Sequence, residues 1–476
     1  GFRWRMAAFV WFICLFAWMK SVPIYGVAAS EWAAAQGLTS GGFSLIFMGA
    51  HGAGLLVFGW LMDRNRATVR LALPVAPLIC AVLTSLLIEI GPKSSAALFA
   101  VMGLVSAAGV IAWMSSFRIY FPSGRRGLYF GVVASLLTAV VWGLNNLAGR
   151  ISPETLLLTS ATICGFGLPA GWILYRTGRS SESGDAPRGQ TAGIEPWRRL
   201  FKYGVVLLFV YLVGGITYQV MLPSLGQYPL LTTTYALVPF ILMAPLAGWV
   251  ADRFRLRLLL HIGAACLALS FVVWAAQDGY WTAWLAVTFN DLGYAFLEPF
   301  IWLYVATYAP MQRIGIFSGV GLNLSVLPIL LGAGLSLPPA MATPERAGLL
   351  ASVAVTLAVV ILSLLPDKSA DIGKKTDQFP VERLDPEQEA NMIRMRLQNL
   401  AQGKLTPREL EVGMLALQDL AVVEIAEQLT LSVNTVKTHL RNIYRKTGVK
   451  SKHELFRGVI GEEGRSPFSI QSSGRV

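Results

Sequence analysis

Between Ser432 and His453 the chain carries Lys437, Arg441, Arg445, Lys446, Lys450 and Lys452 and no carboxylate. On a helix, Lys437, Thr438, Arg441 and Arg445 form one stripe, and Val436, His439, Leu440 and Ile443 form the opposite, inward one. Long cationic side chains in such a row suit the phosphate oxygens and guanine edges of a DNA duplex. Asn434, Thr435 and Lys450 complete this candidate DNA-contacting set. A second group lies inside apolar runs: Lys20, His51, Asn145, Asn146, Gln219, Asn290, Asp291 and Glu298, with Trp113 and Trp142 as aromatic surface. Ionisable groups at membrane depth are costly and mark binding sites or internal pairing. Asp291 and Glu298 are seven residues apart and so share one helix face. Two readings stay open. These residues line a cavity for a small, polar, aromatic molecule, or they hydrogen-bond helices to one another. His261 reads as interfacial. No P-loop, GxSxG string or metal-ligand spacing occurs, so no catalytic site, metal or cofactor is expected, and an enzyme is disfavoured.

The elements that must position these residues follow from composition. Of 476 residues, 54% are apolar and 14% charged, against about 25% charged in soluble domains. Twelve apolar stretches have spanning length: 6–27, 42–62, 70–91, 95–121, 127–149, 155–175, 203–225, 231–251, 257–277, 280–308, 315–338 and 347–365. The first reads as a span, with no cleavable signal peptide ahead of it. Alternate loops are basic. One set holds Arg3 and Arg5, then Arg64 and Arg66, Arg125 and Arg126, Arg176 to Lys202, Arg253 to Arg257, and Arg313. The other holds little beyond Glu31, Lys93, Arg150, Asp278, Glu345 and Arg346. Basic loops stay in the cytoplasm, so both termini are expected there and the location is the inner membrane. The net charge of +12 suits phosphate-bearing partners. Cys14, Cys80, Cys164 and Cys266 stand singly in apolar runs, which argues against disulfides and zinc.

Past residue 366 the chain turns polar. Asp385-Pro386 followed by Glu387 and Glu389 is a helix start, and Ala390, Ile393, Leu397 and Leu400 give it an apolar stripe. That helix either pairs two subunits or packs on its own terminal domain. As a flexible chain, 367–404 would reach about 30–40 Å. Thr406, Pro407 and Glu409 form a capping box opening a helix over 407–417; helices over 421–429, 432–447 and 451–460 follow. Ser432 caps the third of these and Gly448 ends it; Ser451-Lys452-His453-Glu454 is a further capping box.

Two repeats and one motif carry resemblances to families. Gly59-Trp60-Leu61-Met62-Asp63-Arg64 is matched 189 positions later by Gly248-Trp249-Val250-Ala251-Asp252-Arg253. Arg125, Gly127 and Gly131 are matched 188 positions later by Arg313, Gly315 and Gly319. Over about residues 1–366 the chain resembles the major facilitator superfamily, whose G-x-x-x-D-R signature recurs between spans two and three and spans eight and nine. The family follows G-x-x-x-D-R with G-R-K; that later glycine is Arg66 in one copy and Arg255 in the other, and one basic residue, Arg257, falls in the remaining stretch of the second copy, where the first has Ala67 and Thr68. The resemblance implies two six-helix bundles around a central cavity, with Gly59, Asp63, Arg64, Gly248, Asp252 and Arg253 at a cytoplasmic gate. The plainer alternative is that Asp-Arg merely ends a span. Residues 405–461 resemble the LuxR-type helix-turn-helix through Leu405-Thr406, Arg408-Glu409, Glu424-Ile425-Ala426, Leu431-Ser432, Thr435-Val436-Lys437, Asn442-Ile443-Tyr444 and Gly448-Val449. That resemblance implies DNA contacts by Lys437, Thr438 and Arg441 and dimerisation through Leu455, Phe456 and Val459. Asp419 stands where the family has a glycine.

The expected fold is all-α: a twelve-span bundle in two six-helix halves plus a four-helix LuxR-type domain. The expected boundaries are 1–176, a cytoplasmic loop 177–202, 203–366, a linker 367–404, the DNA-binding domain 405–461 and a tail 462–476. The expected partners are double-stranded DNA, the bilayer, a small-molecule ligand and a second copy on DNA. The function implied is a membrane-embedded, one-component transcriptional regulator sensing a small molecule; an active secondary transporter with a regulatory DNA-binding appendage is the alternative.

Overall fold

The computed structural model describes residues 2–90, 92–117, 121, 124–181, 194–254, 256–276, 279–335, 343–364, 386–417, 420–449, 451–452, 454–455 and 459. Among them the chain is helical, without strands, and divides into two compact units, Gly1–Thr376 and Asp377–Val476.

In the first unit α1 (Phe2–Ser21), α2 (Gly41–Arg64), α3 (Ala72–Leu86), α4 (Pro92–Ser115), α5 (Arg126–Leu147) and a two-piece α6 (Pro153–Gly165, Gly167–Ser181) precede the 182–193 segment. After it come α7 (Ile194–Ile216), α8 (Val238–Arg253), α9 (Arg257–Ala276), α10 (Tyr280–Tyr308), α11 (Ile314–Leu335) and α12 (Pro344–Leu364). Nine helices among the described residues are long and apolar enough to cross a membrane. Of the expected stretches, α3 is short, α1 carries Arg3, Arg5 and Lys20, and α10 carries Asp291 and Glu298. A nine-residue helix, Val27–Ala35, was not expected; its Ala28, Ala29, Trp32 and Ala33 pack inward.

Helices before and after the 182–193 segment meet chiefly along α2 with α11 and α5 with α8. Both seams are built on glycine. A methyl on Gly59 would lie 2.6 Å from the Gly315 carbonyl oxygen, and one on Gly127 would strike the Gly248 carbonyl oxygen. One turn on, Gly319 abuts the Leu55 carbonyl and Gly131 that of Ala244. Small residues of this kind let helix backbones touch where lipid supplies no hydrophobic drive.

The span containing α8 is not one helix. A π-helical segment, Leu230–Tyr235, ends at Ala236, and Leu237 takes a left-handed φ of 76° before α8 begins. A leucine in that region stores about 1–3 kcal/mol. Irregular backbone at membrane depth survives only where protein or water satisfies it, so its partners matter to the site.

The second unit has its own apolar core. α13 (Pro386–Leu400) packs on α14 (Pro407–Leu417), and α15 (Val422–Gln428) and α16 (Val433–Thr447) complete the described helices. Ile393, Leu397 and Ala401 join Val412, Ile425, Val436, Ile443, Leu455 and Val459 in one cluster. Of the two open readings of the 386–400 helix, the structure thus takes packing on its own domain. Asp385, Asp419, Lys450, His453 and Phe456 lie outside the described residues.

Gly127→Ala should cost about 1–3 kcal/mol by overpacking the seam. Gly143→Ala on the same helix, where an added methyl meets nothing within 4 Å, should stay within about 0.5 kcal/mol. Thermal unfolding of the full chain in lipid measures the difference.

Candidate functional site

The repeated signatures seen in the sequence bind each other crosswise. Asp63, at the end of α2, accepts hydrogen bonds from the first amides of α11, Gly315 N at 2.7 Å and Ile316 N at 3.0 Å. Asp252, at the end of α8, accepts from the first amides of α5, Gly127 N at 2.7 Å and Leu128 N at 2.8 Å. A helix start offers unsatisfied N–H groups and a positive dipole end, so a carboxylate there is held by charge-assisted bonds. Each aspartate thereby ties a helix from one side of the 182–193 segment to one from the other. Arg66 and Arg313 lie within electrostatic reach of Asp63, and Arg126 within reach of Asp252. Arg64 lies over the Trp60 ring at 3.9 Å, and Arg253 is exposed.

The residues expected to line a cavity fall into three groups. Lys20 and Glu298 meet: the Lys20 Nζ is 3.1 Å from Oε1 and 3.2 Å from Oε2, joining α1 to α10. Their side chains are 32% and 22% exposed, so the pair borders open space instead of being entombed. The Lys20 ammonium also lies 5.3 Å from the centre of the Phe240 ring. Asp291, on the same helix as Glu298, is buried and accepts the Leu237 amide hydrogen at 2.8 Å, bonding the backbone at the break before α8. Asn290 beside it is buried, and its side-chain oxygen has no partner among the described residues.

The second group closes the end away from Asp63 and Asp252. The Trp142 indole donates to the Thr234 carbonyl at 2.6 Å, and Thr234 Oγ1 donates to Asn146 Oδ1 at 3.1 Å. The π-helical segment is thus held by α5, with Asn145 half-buried nearby in sequence. Gln219 donates to the Tyr25 hydroxyl at 3.0 Å, and the Tyr25 ring stacks on Tyr218 at 4.8 Å.

The third group packs among apolar helices. His51 Nδ1 is 2.9 Å from Ser106 Oγ, so the residue links α2 to α4 and does not join the Lys20–Glu298 pair. The Trp113 indole donates to the Ala8 carbonyl at 3.2 Å. Beside Trp113 sits Trp302 of α10, its ring 5.3 Å from both Phe12 and Phe16 and 5.7 Å from Phe130. No periodicity argument singled out Trp302, because one tryptophan in an apolar run looks like any other. A cavity of about 170 Å³ lies elsewhere, lined by residues including Ser224, Tyr228, Trp274 and Thr282, none of them from the expected set.

In the second unit Asn434, Lys437, Thr438, Arg441 and Arg445 are exposed on α16, while Val436, Leu440 and Ile443 are buried and His439 is half-buried. Ser432 caps α16 through the Thr435 amide at 3.1 Å, and Thr435 Oγ1 is 2.7 Å from Ser432 Oγ, so its hydroxyl serves the cap. Arg445 donates to Asn442 Oδ1 at 3.3 Å. Gly448 ends the helix at φ 73°. Lys446 does not belong to the exposed stripe. Its ammonium is 2.6 Å from Glu409 Oε2, and Glu409 is 4% exposed. Glu409 also closes the capping box, accepting the Thr406 amide at 2.8 Å. Burial pushes the Glu409 carboxyl up, but the Lys446 ammonium and the Thr406 donors outweigh it and hold it below the ordinary carboxylate value. Leu455 and Val459, expected at a dimer face, are buried in the unit's own core. An apolar residue in a short terminal segment serves core and interface equally well by composition, so sequence does not separate the two.

With this geometry in place, comparison with known proteins decides the membrane part: the model of the Major Facilitator Superfamily matches residues 96–333, half of the chain. The chain belongs to that superfamily. Residues 403–459 match the model of bacterial regulatory proteins of the luxR family. The chain is also 44% identical over 50 residues to the spore germination protein GerE of Bacillus subtilis (strain 168), covering 10% of this chain and 68% of that protein. One polypeptide therefore joins a facilitator-type membrane domain to a DNA-binding regulatory domain. Neither family is a typical enzyme family.

Two outcomes test the site of the second unit. Glu409→Gln in the 377–476 unit should cost about 1.5–3 kcal/mol at pH 7. A lowered carboxylate pKa contributes stability that is complete above the unfolded-chain value and lost as pH falls through the folded value. The wild-type advantage in urea unfolding should therefore shrink on acidification. For DNA binding, Lys437→Ala or Arg441→Ala should reduce the slope of log K against log salt by about one unit for each phosphate the side chain neutralises. Lys446→Ala should destabilise the unit and leave the slope unchanged.

Proposed function

We propose that this protein is a membrane-embedded, one-component transcriptional regulator whose facilitator-type domain senses a small molecule. The carrying observation is the Lys20–Glu298 pair, which joins α1 to α10 and borders open space in a chain that also bears a luxR-family DNA-binding domain. A ligand that breaks or replaces this pair acts directly on how helices before and after the 182–193 segment sit together. It shifts the equilibrium only by its differential affinity for the two arrangements. The aromatic packing of Trp302 against Phe12, Phe16 and Phe130 supports sensing over conduction, since it fills the space between α1, α5 and α10 with rings.

The remaining architecture fits this reading. Twelve crossings in two six-helix halves accommodate α1 to α12, with α3 a short span. The alternation of basic loops places both termini in the cytoplasm of a cell with its DNA there, and the bilayer is the inner membrane. The relay runs through α13. Leu397 lies where a methyl on Gly413 would come within 2.7 Å of it, and Arg396 donates to the Val459 carbonyl at 3.4 Å. A pull on α13 therefore acts on the DNA-binding core and on the terminal segment, through which two copies pair on an operator. The protein acts without catalysis.

Chromatin capture of the tagged full-length protein should find it at a few promoters, with occupancy that changes on adding one exogenous small molecule. That response should vanish in Glu298→Gln. Occupancy indifferent to every small molecule and to substitution of Lys20 and Glu298 would sink the reading. The retained signature aspartates favour a second reading, an active secondary transporter with a regulatory appendage. In that case sealed vesicles containing residues 1–366 should accumulate a solute, and Asp291→Asn should abolish any proton coupling.

A further inference from the structure

The surroundings of Lys20 describe a cation site that the protein fills with its own side chain. The ammonium sits on both oxygens of Glu298, at 3.1 and 3.2 Å, and over the face of Phe240 at 5.3 Å. A carboxylate below and an aromatic face beside are the two elements that recognise a cationic nitrogen. Asp291 lies within electrostatic reach of Lys20, so two carboxylates stand against one ammonium. Tyr218, stacked on Tyr25, is within electrostatic reach of both Glu298 and Asp291.

A second observation points the same way. Asn290, next to Asp291 in the chain, is 7% exposed, and its side-chain oxygen has no donor among the described residues. Buried polar atoms are nearly always satisfied, so an acceptor left over beside a carboxylate suits a ligand that brings a donor. An anionic ligand would add a third negative charge here and offer Asn290 nothing. A protonated amine brings the missing charge and several N–H donors.

We propose that the region between α1, α8 and α10 is a subsite for a small organic cation, a protonated amine, and that Lys20 is the tethered cation it displaces from Glu298 and Phe240. This rests on the sensing reading above and deepens it by naming the ligand class. Displacement transfers no atoms: one N⁺–H···O⁻ pair replaces another. Its consequence is mechanical. Lys20 belongs to α1 and Glu298 to α10, so the ligand's ammonium removes a charged bond between helices and leaves the apolar packing of Trp302 on Phe12 and Phe16 to hold them. The pair can be reached, since the Lys20 and Glu298 side chains stay 32% and 22% exposed while Phe240 and Asp291 are buried.

The test uses the full chain in lipid nanodiscs and three probes of one shape: 2-phenylethylamine, 3-phenylpropionate and 2-phenylethanol. Calorimetric titration should show binding of the amine alone. Lys20→Met should tighten it roughly tenfold or more, because the wild-type site is free only in the fraction of molecules whose lysine has swung away. Glu298→Gln should abolish it. The double variant, which removes both charges of the pair and leaves Asp291 bonded to the Leu237 amide, guards against misfolding and should also bind no amine. Propionate binding that is lost in Lys20→Met, or amine binding unchanged by Glu298→Gln, would overturn the proposal. Amine binding with this residue dependence but no change in promoter occupancy would uphold the subsite and remove the sensing reading. A promoter response to propionate and not to amine would do the reverse.

Discussion

The membrane domain depends on two carboxylates set against two helix starts. Asp63 caps α11 and Asp252 caps α5, each through paired backbone amides between 2.7 and 3.0 Å. Where two helices pack closely, a helix start is better for having its first amides taken up, and a half-buried carboxylate is better for having donors. Each defect is the remedy for the other. Because the two partners of each bond come from opposite sides of the 182–193 segment, the solution also joins those sides. The glycines beside them, Gly59 on Gly315 and Gly248 on Gly127, are the steric condition for the bonds: any side chain there would hold the helices too far apart for the carboxylates to reach.

The same physics recurs where the structure is irregular. Before α8 the backbone leaves helix geometry, and Asp291 takes up the Leu237 amide that the break exposes. The π-helical segment ahead of it offers carbonyls, and Trp142 of α5 takes that of Thr234. A discontinuous helix is thus satisfied from both sides by polar residues that would otherwise be stranded in the membrane. Asp291 and Glu298, both carboxylates on one helix face, consequently have different roles. One holds backbone and the other holds Lys20. The DNA-binding unit follows a soluble version of this rule, where Glu409 serves the start of α14 and the Lys446 ammonium together.

The chemistry of the parts was legible in the chain. Apolar runs of spanning length, a basic stripe at four-residue intervals and the Thr406–Glu409 capping box are local patterns, and local geometry reproduces them as α-helices with Lys437, Thr438, Arg441 and Arg445 outward. The repeats at offsets of 189 and 188 were also visible. Their relation to each other was not. Nothing in Gly59–Asp63 says that its partner is Gly315 and not Gly248, since periodicity reports which residues share a face and never which face meets which. The π-helical break was equally hidden, because Thr232, Thr233 and Thr234 read as an ordinary stretch of an apolar span.

By itself the sequence determined the membrane character, the helical class, the helix with the exposed basic stripe and the pool of polar residues available at membrane depth. Each of these follows from composition and from a period of 3.6, which neighbouring residues set among themselves. Only the tertiary structure decided how that pool is divided. It paired Lys20 with Glu298, gave Asp291 to Leu237, put His51 with Ser106, drew Lys446 inward to Glu409, and buried Leu455 and Val459 in their own core. Such choices rest on contacts between residues tens to hundreds of positions apart. Burial and hydrogen-bond satisfaction are balanced over the whole packed domain, and no short window of sequence contains that balance.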